Sequence, residues 1–369
     1  MEHIQHLDEL VFTPRGLDTL LEFLVGIRER NEMQATLIEV SRKFDGAPAI
    51  VFGRDEFGLF LSTKAFYNAT RIKCYSQEDI YEQFGIKVGL WSTLHNVWEA
   101  IQSMNIRMGE VFQADVMFVE NRTLTDEEEY SFKPNIIEYT IDADDVRKIG
   151  LCVHSKIIQT NSKNPEEPPV YIHISYDFSQ EKAGNDVFLV QCPVLCVSTH
   201  EIKGVAVSDE LMQAASDLHS RYTHCVDENM IELMRMLDNA IIRGEVQVGK
   251  QMNYLAAYMR FVSNRYVKDL NEYKTSVGIY KCFHKYNALI NPHHQVQTII
   301  QDMYKVRQLL RKFKLDLIEH FNHLIETNVY AEEHEGLVIT FENGVVAKVV
   351  DRENFSKRNF NKNGNSFQK

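Results

Sequence analysis

Apolar residues at Leu17, Leu20, Leu21, Leu24 and Ile27 repeat at the three-and-four spacing of one helix face, and Thr13-Pro14 supplies a helix start. The pattern predicts a short covering helix. From Ala35 to about Ser198 the period shortens to that of strands. "ATLIEV", "AIVF" and "LFLST" come first, divided by turn-forming residues, and "GEVFQADVMFV", "NIIEYTI" and "IGLCVHSKI" follow. One helix interrupts them, with Leu90, Leu94, Val97, Trp98 and Ile101 on a common face. The acidic "TLTDEEEY" and the proline-containing "NSKNPEEPPVY" read as exposed loops.

From roughly Ser208 to Tyr330 glycine becomes rare and the helical period takes over, as in "ENMIELMRMLDNAII" and "QTIIQDMYKVRQLLRKFKLDLIEHFNHLI". Strand character returns in "GLVIT" and "GVVAKVV", and Asn343-Gly344 between them suits a type I′ hairpin turn. A short β segment stranded after so many helical residues rejoins the earlier sheet, which makes the helices an insertion. The predicted organisation is a first part over 1–207, a helical insertion over 208–330, returning strands over 331–355 and a basic tail over 356–369.

Composition fits an ordinary folded chain, with 44% hydrophobic and 25% charged residues over 369 positions. The formal net charge of −12 means that overall attraction cannot hold a polyanion, so any nucleic-acid site must be a local basic groove. No apolar run approaches the about 18 residues that a membrane span needs, and the acidic start lacks a signal core. The expectation is a cytoplasmic protein with no membrane partner. Six cysteines (Cys74, Cys152, Cys192, Cys196, Cys225, Cys282) read as reduced thiols, and the pair Cys192 and Cys196, lacking a second ligand pair, reads as small buried side chains rather than a zinc site. His293 and His294, adjacent and partnerless, read as loop residues, and the Met234/Met236 region as helical core.

Chemistry concentrates in an ordered series. Lys43-Phe44-Asp45-Gly46 fits K-x-D-G, a pattern that composition alone produces in on the order of one chain in ten of this length. It is followed by Ser62-Thr63-Lys64 at a strand end, Gly109-Glu110, Glu335-Gly336-Leu337-Val338 and Ala347-Lys348-Val349. This series resembles the nucleophile motif and the four succeeding motifs of the covalent nucleotidyltransferases, the superfamily of polynucleotide ligases and mRNA-capping enzymes. The likeness is closest to RNA ligases of the T-even phage type and related phage proteins. It covers Leu37 to Asp115 and Glu335 to Asp351, and leaves the helical insertion uncovered.

The resemblance implies an α+β fold: an antiparallel-sheet nucleotidyltransferase domain, ATP-grasp-like, carrying a large helical insertion. It implies an ATP-dependent adenylyltransferase with lysyl-AMP at Lys43, acting on nucleic-acid 5′-phosphate ends, RNA in preference to DNA, within an infected bacterial host. Asp45 would position the nucleophile and bound nucleotide, Glu110 would bond the ribose, and Lys64 and Lys348 would bind phosphates. Glu335 would contribute to a Mg²⁺ or Mn²⁺ site, and His154 or Tyr139 would wall the base. The chemistry is coherent, because a lysine nucleophile must be a free amine although its ordinary pKa is near ~10.4, and neighbouring cations and burial lower it.

Three departures bear on that reading. Pro48 stands where DNA ligases usually carry arginine, and Val350 where the fifth motif commonly holds a second lysine, leaving Arg352, Lys357 or Arg358 to substitute. The chain ends 18 residues after Asp351, too short a tail for the OB-fold of DNA ligases and capping enzymes. Lys305, Arg307, Arg311, Lys312 and Lys314 form a basic helix that is either a substrate surface or a solvated face. Guanylyl transfer, and a nucleotide-binding phage interaction protein that has lost turnover, stand as alternatives.

Overall fold

The computed structural model describes residues 5–28, 35–160, 170–176, 178–202, 204–222, 226–248 and 253–355. A 3-10 turn at Leu7–Phe12 and helix α1 (Pro14–Arg28) precede strands β1 (Leu37–Lys43), β2 (Ala49–Asp55) and β3 (Gly58–Thr63). Helices α2 (Lys64–Thr70), α3 (Gln77–Phe84) and α4 (Val88–Gln102) lead into β4 (Val111–Val119), β5 (Thr123–Leu124), β6 (Glu129–Phe132) and β7 (Tyr139–Asp142). Then come β8 (Ile149–Thr160), β9 (Val170–Ser175), α5 (Gln180–Ala183), β10 (Val187–Leu189) and β11 (Val194–Ser198). Helices α6 (Asp209–Arg221), α7 (Glu228–Ile242), α8 (Tyr254–Glu272), α9 (Ser276–Ile290) and α10 (His294–Asn322) follow, and β12 (Gly336–Phe341) and β13 (Val346–Val350) close the chain.

The chain divides into two compact units. One is built from 39–196 and 321–338, and the other from the described residues of 4–38, 197–320 and 339–369. Helices α6 to α9, most of α10, α1 and β13 all belong to the second unit. The predicted basic tail over 356–369, with Lys357 and Arg358, lies outside the described residues, as do Cys225 and most of the loop beginning at Asn161.

The first unit contains a sheet ordered β10-β8-β4-β2-β3, with β9 added on β8. Its pairings are antiparallel except β8 with β10. Side chains alternate along a strand, so the sheet has two faces of different composition. Ile50, Phe52, Leu61, Phe112, Ala114, Val116 and Leu151 occupy one, packed with Ile80 and Phe84 of α3 and Leu94, Val97, Trp98 and Ile101 of α4. The apolar stripe read in the sequence is this contact. Val51, Ser62, Gln113, Asp115 and Cys152 occupy the other face, where polar groups replace much of the core. A three-stranded antiparallel sheet, β5-β6-β7, adjoins in the same unit.

A four-stranded sheet has the order β11-β1-β12-β13. The β12–β13 turn departs from the expected type I′, which needs positive φ at both central residues. Gly344 alone has it, at φ 85°, and Phe341 N–H donates to the Val345 carbonyl at 2.8 Å. The connection is a three-residue loop whose last residue is left-handed, a conformation glycine adopts without steric penalty. In the second unit Phe23 of α1 meets Phe313 and Phe341 edge-on, at 6.4 and 5.1 Å between centroids. Of the cysteine pair, Cys192 is buried but Cys196 is exposed.

Candidate active site

Lys43 ends β1 and the chain turns at once through Phe44-Asp45-Gly46-Ala47. That turn is fixed from several sides. Ala47 N–H donates to the Val116 carbonyl at 3.0 Å, and Val116 N–H donates to the Pro48 carbonyl at 3.1 Å. The buried Asp45 carboxylate accepts from Asn135 Nδ2 at 2.8 Å and from the N–H groups of Ile136 and Ile137 at 2.7 and 3.0 Å. Asp45 N–H donates to the Tyr139 hydroxyl at 2.9 Å. Asp45 therefore spends these acceptors on the Asn135 side chain and the Ile136 and Ile137 backbone, which holds the turn that follows Lys43. Tyr139, 1% exposed, stacks on Phe132 and stays protonated, its pKa raised by burial. It braces the turn from within the core instead of walling a base.

Lys43 Nζ contacts the Glu335 carboxylate directly, across 292 positions of sequence. The segment before Glu335 is held by Arg42, whose guanidinium donates to the carbonyls of Asn322 and Ile325, both at 2.9 Å. Alternation along β1 sends Arg42 and Lys43 to opposite sides, one clamping the returning chain and the other meeting its acid. Burial pushes the Glu335 pKa up, Lys43 pulls it down, and Asp45 and Asp115 push it up further.

Lys64, the first residue of α2, joins this group electrostatically. Burial lowers its pKa, Asp115 raises it and Lys43 lowers it again. His154 reaches the same place because β8 carries a bulge. Gln113 pairs with Ser155 and Ala114 with Val153, which leaves His154 as the extra residue, and bulges re-aim side chains in this way. Its Nε2 lies 3.2 Å from Gln113 Nε2 and 3.7 Å from Asp115 Oδ2. The structure thus brings Lys43, Lys64, Glu335 and His154 around Asp115, a residue the motif reading did not single out. Its signal was present: Gln113 and Asp115 break an otherwise apolar strand at two-residue spacing.

Glu110 stands apart. It lies just before β4 and five residues from Asp115, about 17 Å at ~3.3 Å per residue of extended chain. Its carboxylate takes Lys182 Nζ at 2.5 Å, Lys156 Nζ at 3.4 Å and Arg107 N–H at 3.0 Å. Burial raises its pKa, and the Lys182 bond with its other partners more than offsets that, leaving it lowered. Lys348 belongs to the second unit, where its N–H donates to the Gln5 carbonyl at 3.0 Å.

The basic helix is divided: Lys305, Arg311 and Lys312 lie on an exposed face, while Arg307 and Lys314 turn inward. Lys314, 5% exposed, donates to Asp8 at 3.0 Å and to the Val350 carbonyl at 3.1 Å. Arg307 contacts Asp238 and lies 3.6 Å from Asp8. Arg311 pairs with Glu353 at 3.1 Å, and Lys305 with Glu210 at 3.3 Å. Arg352, one candidate for the missing second lysine, is held by Glu9 at 2.9 Å and Asn239 at 2.9 Å, with Asp8 at 3.6 Å. An interior ionic network takes up Arg307, Lys314 and Arg352, while Lys305 and Arg311 form exposed pairs.

One observation places the chain among known proteins: a single family pattern spans residues 2–364. The chain belongs to the DUF6267 family. That family is described as one of unknown function, and no curated protein and no solved structure significantly matches the chain. Among the described residues no group of three His, Cys, Asp or Glu side chains could hold a metal ion, and no helix is long and apolar enough to cross a membrane. Magnesium asks for less, since it keeps waters and takes one or two carboxylates alongside substrate phosphates. Glu335, with Asp115 near enough to raise its pKa, is an oxygen donor set of that kind.

Proposed function

We propose that this protein is an ATP-dependent, RNA-ligase-like adenylyltransferase whose nucleophile is Lys43. The observation that carries the reading is the convergence of Lys43, Lys64 and Glu335 beside Asp115 on the polar face of an antiparallel sheet. The Lys43 amine attacks the α-phosphorus of ATP, forming an N–P bond as the P–O bond to the β-phosphate breaks and pyrophosphate leaves. The amine first gives up its extra proton, and Glu335, in contact with it and with a raised carboxyl pKa, is placed to accept it. Lys64 adds positive charge where the phosphates would lie. A bound Mg²⁺, held largely through waters by Asp115 and Glu335, would neutralise phosphate charge.

RNA 5′-phosphate ends are the acceptors this reading favours. A second reading, nucleotide binding without turnover, draws support from Arg352, whose engagement in the second unit leaves the Val350 position uncompensated among the described residues. Incubation with α-labelled ATP or GTP and Mg²⁺ or Mn²⁺, followed by denaturing electrophoresis, separates the readings. Label that stays on the protein supports covalent transfer, and the preferred nucleotide distinguishes ligase from capping chemistry. Protein that never labels under any of these conditions overturns it.

A further inference from the structure

We propose that the first unit holds a second small-ligand site, independent of Lys43, that takes a free ring-bearing anion of nucleoside-monophosphate size. A cavity of about 330 Å³ lies among Arg54, Phe57, Leu59, Tyr75, Trp98 and Gln102. That volume falls at the lower end of small-molecule sites. Arg54 pairs with Leu59, Trp98 and Gln102 come from α4 on the helix-covered face, and Tyr75 packs on Phe60 from the other side, so the cavity lies at the turn end of the β2–β3 hairpin. Asp115 is distant along the strands, since Ala49, its partner, is five residues from Arg54, again about 17 Å.

The lining selects the chemistry. Phe57 leaves 74% of its surface exposed at the tip of the β2–β3 turn, where its ring meets Tyr75 edge-on at 6.1 Å. Tyr75 is itself fixed, its hydroxyl donating to Asp55 at 3.0 Å, and burial followed by that bond raises its pKa to about 12. Arg54 is half-buried and forms no ion pair among the described residues. Its Nε donates to the Ile106 carbonyl at 3.0 Å, which leaves its terminal amino groups for a ligand. The Trp98 indole N–H donates to no described protein atom, and Gln102 uses only its Nε2, toward the Trp98 carbonyl at 3.4 Å. A half-buried unpaired guanidinium rejects a cationic guest and calls for an anion, while the rings call for a planar group. Exposed Glu56 in the same turn and Glu99 beside Trp98 disfavour a polyanionic strand, so the occupant is a free mononucleotide.

The chain has two tryptophans, so Trp91→Phe leaves Trp98 as a fluorescent reporter inside the cavity. AMP should change its emission saturably, in a Lys43→Ala background as well as in the parent. Arg54→Gln should weaken AMP about tenfold or more while leaving the weaker response to adenosine unchanged, as loss of one charge-assisted contact requires. Phe57→Ala, at an exposed position that packing does not need, should weaken both. Calorimetry of the unaltered protein against Arg54→Gln gives the same comparison should Trp91→Phe fail to fold. The proposal is overturned by the absence of saturable binding of AMP up to about 10 mM, by equal affinity in Arg54→Gln, or by an oligonucleotide that binds this cavity more tightly than AMP.

Discussion

Gly46 lies so close to Asp115 that a Cβ on Gly46 would sit 2.5 Å from the Asp115 Cβ, with Met117 Sδ at 2.9 Å. The nearest obstacle is the root of a side chain on a central strand, which cannot swing aside. Glycine at the end of K-x-D-G is thus required by a close approach of the turn to β4, and that approach sets Lys43 beside Asp115. Gly46→Ala should lower stability by about 1–3 kcal/mol, the usual range for overpacking. It should reduce labelling of Lys43 by more than the unfolded fraction explains. Urea melts read beside the labelling rate check both, and unchanged values in both would remove the turn from the site.

Lys43 itself separates chemistry from structure. Lys43→Ala should abolish acid-labile, base-stable AMP labelling, as expected for a phosphoramidate. Lys43→Arg keeps the partner charge for Glu335, yet guanidinium is never deprotonated and supplies no free amine, so it should fail equally. A lysine present only for the Glu335 contact would tolerate arginine better than alanine. Arginine protein that labels like wild type sinks the covalent role.

The elements and the first-unit cluster were legible to different depths, for physical reasons. Periodicity located α4 and α7 because each presents an apolar stripe to a core, interrupted in α7 only by the buried Asp238. Lys43 and Glu335 were legible as motif members, but their contact spans 292 positions and no local pattern encodes it. How Asp45 holds the turn was not legible, because its sequence neighbours cannot show that Asn135, Ile136 and Ile137 arrive to satisfy it. His154 depended on a one-residue bulge, which shifts which face a side chain meets without leaving a mark in composition. On α10 the exposed Lys305, Arg311 and Lys312 match a solvated face, whereas Arg307 and Lys314 do not, since a buried cation and an exposed one read identically until their partners, Asp8 and Asp238, are placed.

That network predicts opposite outcomes for two neighbouring cations. Lys314→Met leaves Asp8 and the Val350 carbonyl buried with fewer partners, and breaking a buried pair from one side costs about 3–5 kcal/mol. Arg311→Glu alters a half-exposed pair with Glu353, and should cost under about 1 kcal/mol. Denaturant midpoints of the two variants test the contrast. A single-stranded RNA probe should bind Arg311→Glu as it binds wild type, with the same salt dependence. Loss of RNA binding would restore α10 as a contact surface.

His334 gives the first unit a defined acid sensitivity. Its pKa is lowered to about 4, first by burial and then by the Arg42 guanidinium, against an ordinary value near ~6.5. Above about pH 6.5 the ring is neutral whether the chain is folded or not, and its contribution is complete. Between about 6.5 and 4 the unfolded chain binds the extra proton and the folded one does not, so stability falls as pH falls and the loss is complete below the folded value. The shift alone sets a ceiling near ~3 kcal/mol, and solvent reaching the ring reduces this to roughly 1–2 kcal/mol. Glu335 acts in the opposite sense, because its raised pKa lets the folded state take up a proton first as acid is added. The two cancel in part in the wild type, which makes the total slope uninformative. His334→Asn removes one of them, so wild type should lose about 1–2 kcal/mol relative to the variant between pH 7 and 4, measured as the difference between their denaturant midpoints. Parallel curves across that range would mean that His334 titrates as an ordinary exposed histidine and that Arg42 does not govern it.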